Sequence, residues 1–272
     1  MTKRVACLIA LVAALVSGGC SELSSSSGEF EPRVKDTLTV VTQPLPTAGF
    51  WEGTARHPTG GFSYGMAKAL ADRLGLRRLV IRERPFSEIV AGQLGDADLA
   101  LALITPTDSR RERLDFSDPF IQASPALVTR KGTRVPDVET AKGLRFALPR
   151  NTTFVDLVAD LIRPDDRPLM YENRQDMIAA VRTGRADVTV FDMPAAVALV
   201  HQEPELEIAS KFDGTEPIAA ALPKGSDNTE AVSSQLRAMQ SDGTIDALAR
   251  RWLGESLTDS ENDAPLLRTN QR

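Results

Sequence analysis

The sequence predicts an α/β fold built from two α/β units in tandem. Short runs rich in β-branched and aliphatic residues, typical of strands, alternate along the chain with segments whose apolar residues recur at helical spacing. The alternation starts afresh near the middle of the chain, although the sequence itself does not repeat. Between two polar ends lie about 220 residues, which is enough for one large domain or two smaller lobes.

The first unit is predicted from five segments. A short strand rich in β-branched residues covers 36–43, and a helix covers 63–74. A strand at 77–82 and a helix at 85–94 follow, and the continuous apolar run in 98–104 predicts a buried strand. This order of strands and helices implies right-handed crossovers and a largely parallel sheet.

The pattern of strands and helices then restarts in the second unit. Strands are predicted at 126–130, 145–148, 169–171, 186–191, 207–210 and 218–222. Helices are predicted at 153–162, 174–183, 193–201, 227–241 and 244–252. A pair of α/β units predicts a ligand cleft between them, near the carboxyl ends of the strands.

The N-terminus has the layout of a secretory signal. Lys3 and Arg4 form a positive start, residues 5–16 are uncharged, and small residues lead to Cys20. The apolar run is shorter than the roughly 20 residues of a transmembrane helix. Small residues that run into a cysteine resemble the bacterial lipoprotein signal, in which the cysteine is lipidated. We expect a signal peptide over 1–19 and lipidation, with an ordinary cleaved signal and a chance cysteine as the alternative.

The segments that flank the folded region are polar. Residues 20–35 are expected to form the lipidated cysteine and a flexible serine-rich tether, and residues 257–272 a disordered tail. Cys7 leaves with the signal and Cys20 carries lipid, so the folded region has no thiol. Disulfides, cysteine metal sites and cysteine nucleophiles are therefore excluded.

Composition and motifs argue against several functions. The net charge is −5 and no basic stripe is present, so nucleic-acid binding is disfavoured. His57 and His201 are the only histidines and belong to no ligand-spaced cluster, so no metal site is predicted. The pair Asp115 and Asp118 reads as hinge and turn residues. We expect no metal, no cofactor and no catalytic residues.

A family resemblance is carried by several segments in order. Residues 104–120, ITPTDSRRERLDFSDPF, resemble the segment T-x-T-x-x-R…DFSDPY of the family 3 extracellular solute-binding proteins, the amino-acid binders of ABC importers. Further segments that are similar to the family lie at 60–75, 141–154, 179–192, 218–227 and 241–254. Ordered matches over about 36–255 are more specific than any single motif.

The resemblance implies a periplasmic binding protein type II fold, in which two α/β lobes joined by two hinge strands close on the ligand. The first lobe is expected at 36–121 and 216–256, and the second at 122–215. It also implies a monomeric substrate-binding lipoprotein that captures an amino acid or similar zwitterion for an ABC permease. Such a protein would be anchored to the cell membrane through its lipid, facing the extracellular or periplasmic side.

The resemblance also assigns roles to residues at the cleft. Arg110 stands where the family binds the ligand carboxylate, and a guanidinium suits that group because it can bind bidentately. Thr107 is expected to cap a helix start beside it. Thr105 is expected either to contact the carboxylate or to cap a local turn. Asp192 stands where the family holds the ammonium group, and it could also cap the following helix.

Other candidates come from loops. Thr152 and Thr153 correspond to a family loop that binds the carboxylate from the second lobe, with Asn151 in place of glycine, a substitution that tolerates a left-handed backbone. Phe50 and Trp51 follow a proline-rich loop from which the family stacks an aromatic ring on the ligand. The alternative for these rings is core packing.

Two other functions stay open at this stage. One is an exported dehydratase-like enzyme acting on prephenate or arogenate, which would need a cleft carboxylate poised as a general acid or base. The other is a sensing subunit that reports ligand occupancy to a membrane receptor.

Overall fold

The structure is a computed structural model that describes residues 29–262 and 264–269. The predicted signal peptide and Cys20 lie outside the described residues. Two sheets with helices packed on them dominate the described part, so the predicted α/β fold of two lobes is confirmed. None of the helices in the described ranges combines the length and apolar character that crossing a bilayer requires.

The elements follow the predicted alternation. The strands are β1 (Thr37–Thr42), β2 (Glu52–Gly53), β3 (Pro58–Gly60), β4 (Arg78–Glu83), β5 (Leu99–Ile104), β6 (Leu114–Phe116), β7 (Ile121–Ala123), β8 (Pro125–Arg130), β9 (Phe146–Pro149), β10 (Leu169–Tyr171), β11 (Val188–Asp192), β12 (Leu206–Lys211) and β13 (Glu216–Pro223). The helices are α1 (Phe62–Arg73), α2 (Phe86–Val90), α3 (Asp108–Arg111), α4 (Val138–Lys142), α5 (Thr153–Leu157), α6 (Arg174–Arg182), α7 (Met193–Gln202), α8 (Thr229–Ser241), α9 (Thr244–Trp252) and α10 (Leu257–Asn262). A π-helical segment, Val158–Ile162, continues α5.

The first lobe is built on the sheet with strand order β4-β1-β5-β13-β6, with β7 also paired to β13. β1 runs parallel to β4 and β5, whereas β13 runs antiparallel to its neighbours. Every residue of β1 is buried, because α1 packs against this strand and α2 packs against it as well. The buried residues of α1 include Phe62, Met66 and Leu70, which recur every fourth position and form its core face.

The second lobe is built on the sheet with strand order β10-β9-β11-β8-β12. β9 is parallel to β10 and β11, and β8 is antiparallel to β11 and β12. All five residues of β11, the central strand of this sheet, are buried. Its last residue, Asp192, therefore lies at the carboxyl end of a well-packed strand. The next residue begins α7, which packs against β11, β8 and β12.

The chain crosses between the lobes from β7 to β8 and again from β12 to β13. The two crossing segments lie side by side, since the Phe212 amide donates to the Pro125 carbonyl at 2.9 Å. The Met193 amide also donates to the Ser124 carbonyl, which fixes the start of α7 to the first crossing. Both crossings are backbone segments that could bend as hinges.

The expectation of a disordered tail over 257–272 is wrong for the part that the structure describes. α10 packs against α7, and the chain then reaches the second lobe, where the Leu267 amide donates to the Lys211 carbonyl at 2.7 Å. The Leu267 side chain is only 5% exposed and packs in one apolar cluster with Val138 and Phe212. A short apolar pair within a polar stretch is a weak signal in the sequence, whereas in the structure Leu267 is buried and backbone hydrogen bonds join this segment to the second lobe.

The ordered tail generates a prediction with a matched control. Leu267→Ala should lower the free energy of unfolding by about 2–3 kcal/mol, because it removes a buried side chain and leaves a cavity. Leu266→Ala, next to it, should change it by less than about 0.5 kcal/mol, because Leu266 is 52% exposed. Urea unfolding followed by circular dichroism measures both. Equal effects of the two substitutions would contradict the packing of this tail.

Candidate functional site

A cavity opens between the two lobes, where the carboxyl ends of β5 and β11 face each other. From the first lobe it is lined by Gln43, Phe86, Leu103, Thr105 and Arg110. From the second lobe it is lined by Pro149, Arg150, Thr152, Thr153, Phe154, Tyr171, Glu172, Arg174, Phe191 and Asp192. Most of the residues singled out from the sequence are therefore brought together here.

Arg110 is the central cation of the cavity. It lies in α3, which begins after Thr107, and the Thr107 hydroxyl accepts a hydrogen bond from the Arg110 amide. The side chain is only 7% exposed. Its guanidinium donates to the Thr105 carbonyl at 2.8 Å and to the Asn151 carbonyl at 2.8 Å. Because Asn151 belongs to the second lobe, this one side chain joins both walls of the cleft.

The surroundings of Arg110 stabilise its buried positive charge. Burial lowers the pKa of the guanidinium, and the carboxylates of Glu216 and Asp192 act in the opposite direction. The guanidinium also lies over the Phe86 ring, 5.4 Å from its centroid. An arginine has five N–H donors, so the two hydrogen bonds to carbonyl groups leave donors for an incoming carboxylate.

Glu216 joins the two lobes beside the cavity, and sequence reasoning did not single it out. Its Oε2 atom accepts hydrogen bonds from the Thr105 hydroxyl at 2.9 Å and the Thr153 hydroxyl at 2.8 Å. One carboxylate at the start of β13 therefore joins hydroxyl groups from both lobes. Both hydroxyl protons are directed at Glu216 in this conformation, so neither threonine offers its proton to a ligand carboxylate. The sequence gives no signal for this, because a glutamate after Gly214-Thr215 resembles any solvated turn residue.

The loop before α5 has the left-handed turn that its sequence suggested. Asn151 has φ 61°, a conformation that asparagine adopts more readily than most residues. Thr152 occupies the N-cap position of α5, and its hydroxyl donates to the Pro149 carbonyl at 2.9 Å. The turn places the Asn151 carbonyl towards Arg110, so the loop from the second lobe is held against the first.

Asp192 provides the main negative charge in the cavity wall. It is 7% exposed and occupies the N-cap position of α7, but its side chain makes no capping hydrogen bond to that helix. Its carboxylate acts electrostatically on two guanidinium groups, those of Arg110 and Arg174. The alternative of a helix-capping role for the side chain therefore lacks its hydrogen bond.

Arg174 and Tyr171 were also missed as site residues. Arg174 is the first residue of α6, and its guanidinium lies 4.5 Å from the centroid of the Phe191 ring. Burial lowers the pKa of Arg174 to about 10, against the effect of Asp192. The Tyr171 hydroxyl is buried and has no hydrogen-bond partner among the described residues. An arginine at a predicted helix start looks solvated in a sequence, so nothing marked it.

Phe50 and Trp51 do not line the cavity, and the expectation that one of them stacks on a ligand is wrong for this structure. Phe50 and Trp51 are 1% and 2% exposed, respectively. The Phe50 ring packs edge to face on the Phe62 ring, with 5.6 Å between the ring centroids. The Trp51 indole donates to the Leu101 carbonyl at 3.3 Å. A tight turn, closed by backbone hydrogen bonds between Thr47 and Trp51, directs both rings into the core of the first lobe.

Thr107 and Leu103 also shape the site, and Thr107 caps α3 as expected from the sequence. Thr107 lies outside the cavity lining and positions Arg110 through its capping hydrogen bond. Leu103 lines the cavity with φ 53°, an uncommon conformation for a non-glycine residue. The aromatic rings that do line the cavity are those of Phe86, Phe154, Tyr171 and Phe191.

Residues 40–255 match the family described as bacterial extracellular solute-binding proteins, family 3. The chain is 25% identical to the glutamine-binding protein GlnH of an ABC transporter from Bacillus subtilis (strain 168), over 91% of this chain and 96% of that protein. It is 24% identical to the L-cystine-binding protein TcyJ of Escherichia coli (strain K12), over 73% of this chain and 76% of that protein.

Solved structures share the fold. An ancestral arginine-binding protein bound to glutamine superposes with a TM-score of 0.72 and 28% identity, over 82% of this chain and 100% of that one. A mutant of ArgBP from T. maritima superposes with a TM-score of 0.70 and 26% identity, over 81% of this chain and 96% of that one. Membrane-bound lytic murein transglycosylase F of Aeromonas hydrophila is 28% identical over 81% of this chain, which spans only 45% of that enzyme.

Proposed function

Because the chain belongs to the bacterial extracellular solute-binding proteins, family 3, we propose that it captures an amino acid between its lobes for an ABC importer. The observation that carries the proposal is the pairing of Arg110 and Asp192 across one cavity. The guanidinium suits the carboxylate of an amino acid, and the carboxylate suits its ammonium group. One comes from the first lobe and the other from the second, so a bound zwitterion would hold both lobes.

The relatives support an amino-acid ligand. GlnH and TcyJ carry glutamine and L-cystine in their names, and the superposed ancestral protein is bound to glutamine. We propose that the protein works as a monomer and hands its ligand to an ABC permease. An enzymatic role is disfavoured, because the transglycosylase relatives match over about half of their length and the family consists of solute-binding proteins.

Removal of the central cation tests the proposal. Arg110→Ala should weaken amino-acid binding by at least about 100-fold, because a bidentate charge-assisted contact contributes roughly 3 kcal/mol. Isothermal titration calorimetry measures the affinity, and circular dichroism checks that the fold is kept.

Arg111→Ala is the matched control for this experiment. Arg111 is the next residue, but its guanidinium lies over Phe116 and donates to the Pro106 carbonyl, outside the cavity lining. The control should bind like the unsubstituted protein. Unchanged affinity in Arg110→Ala, or an equal loss in both variants, would refute the assignment of Arg110.

The structure represents a closed arrangement of the lobes. Arg110 contacts Asn151 and Glu216 contacts Thr153, and both of these hydrogen bonds span the cleft. We propose that ligand binding shifts an equilibrium between open and closed forms towards this arrangement.

Closure is testable by small-angle X-ray scattering. The radius of gyration should be smaller with a saturating amino-acid ligand than without it, because the cavity then closes on the ligand. The ligand is first identified by a thermal-shift screen over amino acids. Identical scattering curves with and without bound ligand would argue against ligand-driven closure.

We further propose that Cys20 is lipidated and anchors the protein to the outer face of the cytoplasmic membrane. The support is the order of positive start, apolar run and small residues before the cysteine. A diacylated cysteine carries two chains, which is enough for stable anchoring. The serine-rich stretch after it would act as a tether.

The anchor generates its own prediction. The unsubstituted protein should incorporate labelled palmitate and sediment with membranes of the expressing bacterium. Cys20→Ser should abolish both, because no other cysteine follows it in the sequence. Cys7→Ser is the control, since that residue lies inside the predicted signal. Membrane association that persists in Cys20→Ser would exclude this anchor.

A further inference from the structure

We propose that Arg174 and Tyr171 form a subsite for an anionic side-chain group, so that the protein selects acidic amino acids such as glutamate and aspartate. The inference rests on the proposed function, because it names the class of amino acid that the cavity would hold. It is carried by two polar groups on the same wall of the second lobe, both of which line the cavity.

Arg174 has donors without acceptors. Its guanidinium lies over the Phe191 ring, yet within the described residues it takes part in no hydrogen bond and no ion pair closer than 4 Å. Burial lowers the pKa of this group, and Asp192 is the carboxylate that counteracts burial from a distance. Arg174 is partly buried, and a partly buried cation without acceptors from the protein favours an anion that a ligand would bring.

Tyr171 is an independent observation of the same kind. Its hydroxyl is fully buried and has no hydrogen-bond partner among the described residues. Buried hydroxyl groups are nearly always hydrogen-bonded in proteins, so this one calls for an explanation. Tyr171 ends β10 and Arg174 begins α6, so a short turn places both on one wall. Two donors that line one cavity and have no partner among the described residues favour a ligand group that accepts several hydrogen bonds.

The balance of charges favours an acidic side chain over a cationic one. Arg150 and Glu172 form an ion pair at 3.4 Å and offset each other. Arg110 is compensated by Glu216 and Asp192, whereas Arg174 has only the Asp192 that it shares. The less compensated cation therefore lies at the Arg174 end of the cavity. A lysine or arginine ligand would place its own positive charge against it.

An acidic amino acid would satisfy the three charged positions at once. Arg110 would bind its α-carboxylate and Asp192 its α-ammonium group. Arg174 and Tyr171 would bind its side-chain carboxylate. The rings of Phe86 and Phe191 line the same cavity and offer apolar contact to the methylene groups between them. Arginine and carboxylate can meet bidentately, which gives such a subsite geometric selectivity as well as charge.

The ranking of ligands is the first test. Calorimetry on the unsubstituted protein should show L-glutamate or L-aspartate binding at least tenfold more tightly than L-glutamine and L-arginine. Tighter binding of glutamine or arginine than of both acidic amino acids overturns the inference. This outcome does not depend on any variant being folded.

Substitutions on the proposed subsite are the second test. Arg174→Gln should weaken the binding of the acidic amino acid at least tenfold and change glutamine binding less than threefold. Tyr171→Phe should act in the same direction by a smaller factor, because it removes one hydrogen bond. Arg182→Gln is the control on the same helix, since Arg182 pairs with Glu205 away from this cavity, and it should change neither affinity.

The outcomes separate this inference from the proposed function. If glutamine and glutamate are weakened equally by Arg174→Gln, or neither is weakened, the subsite is refuted while binding that depends on Arg110 still supports the function. If no amino acid binds the folded protein at all, the proposed function itself fails. Circular dichroism of each variant establishes that the comparison is made on folded protein.

Discussion

The cleft depends on a buried guanidinium that belongs to one lobe and is hydrogen-bonded to the other. Arg110 is almost fully buried, and a buried cation is tolerated only where acceptors and counter-charges surround it. The Thr105 and Asn151 carbonyls supply the acceptors, and Glu216 and Asp192 supply the charges. Because these groups come from both lobes, the lobes must approach each other for the cation to be satisfied.

This arrangement has a consequence for binding energetics. In the structure, Glu216 accepts hydrogen bonds from the hydroxyl groups of Thr105 and Thr153, and Arg110 donates two hydrogen bonds to carbonyl groups. A ligand that enters must gain more free energy from the remaining donors than is lost when it disturbs these contacts. A ligand shifts the equilibrium between open and closed forms only by its differential affinity for them. The contacts between the lobes therefore determine how much of the ligand's binding free energy is needed for closure.

Much of the fold could be predicted because its signals are local. The bounds of β10 and α9 agree with the sequence expectation, since apolar periodicity and the residues that end each element decide them. The buried rings of Phe50 and Trp51 could not be predicted, because a turn outside any periodic segment directs them into the core. The ordered tail was missed for a similar reason, because its contacts, the burial of Leu267 and backbone hydrogen bonds to the second lobe, are tertiary.

The residues of the candidate site also differ in whether the sequence could predict them. Arg110 and Asp192 lie in segments that resemble the family pattern, so the ends common to every amino acid could be assigned from the sequence. Tyr171 and Arg174 lie between two such segments, 141–154 and 179–192, in a turn that the pattern does not fix. A charged residue in a turn reads as solvated until tertiary structure buries it. Relatives that share the backbone carry the names of different amino acids, and selectivity that resides in this turn would let one fold serve several ligands.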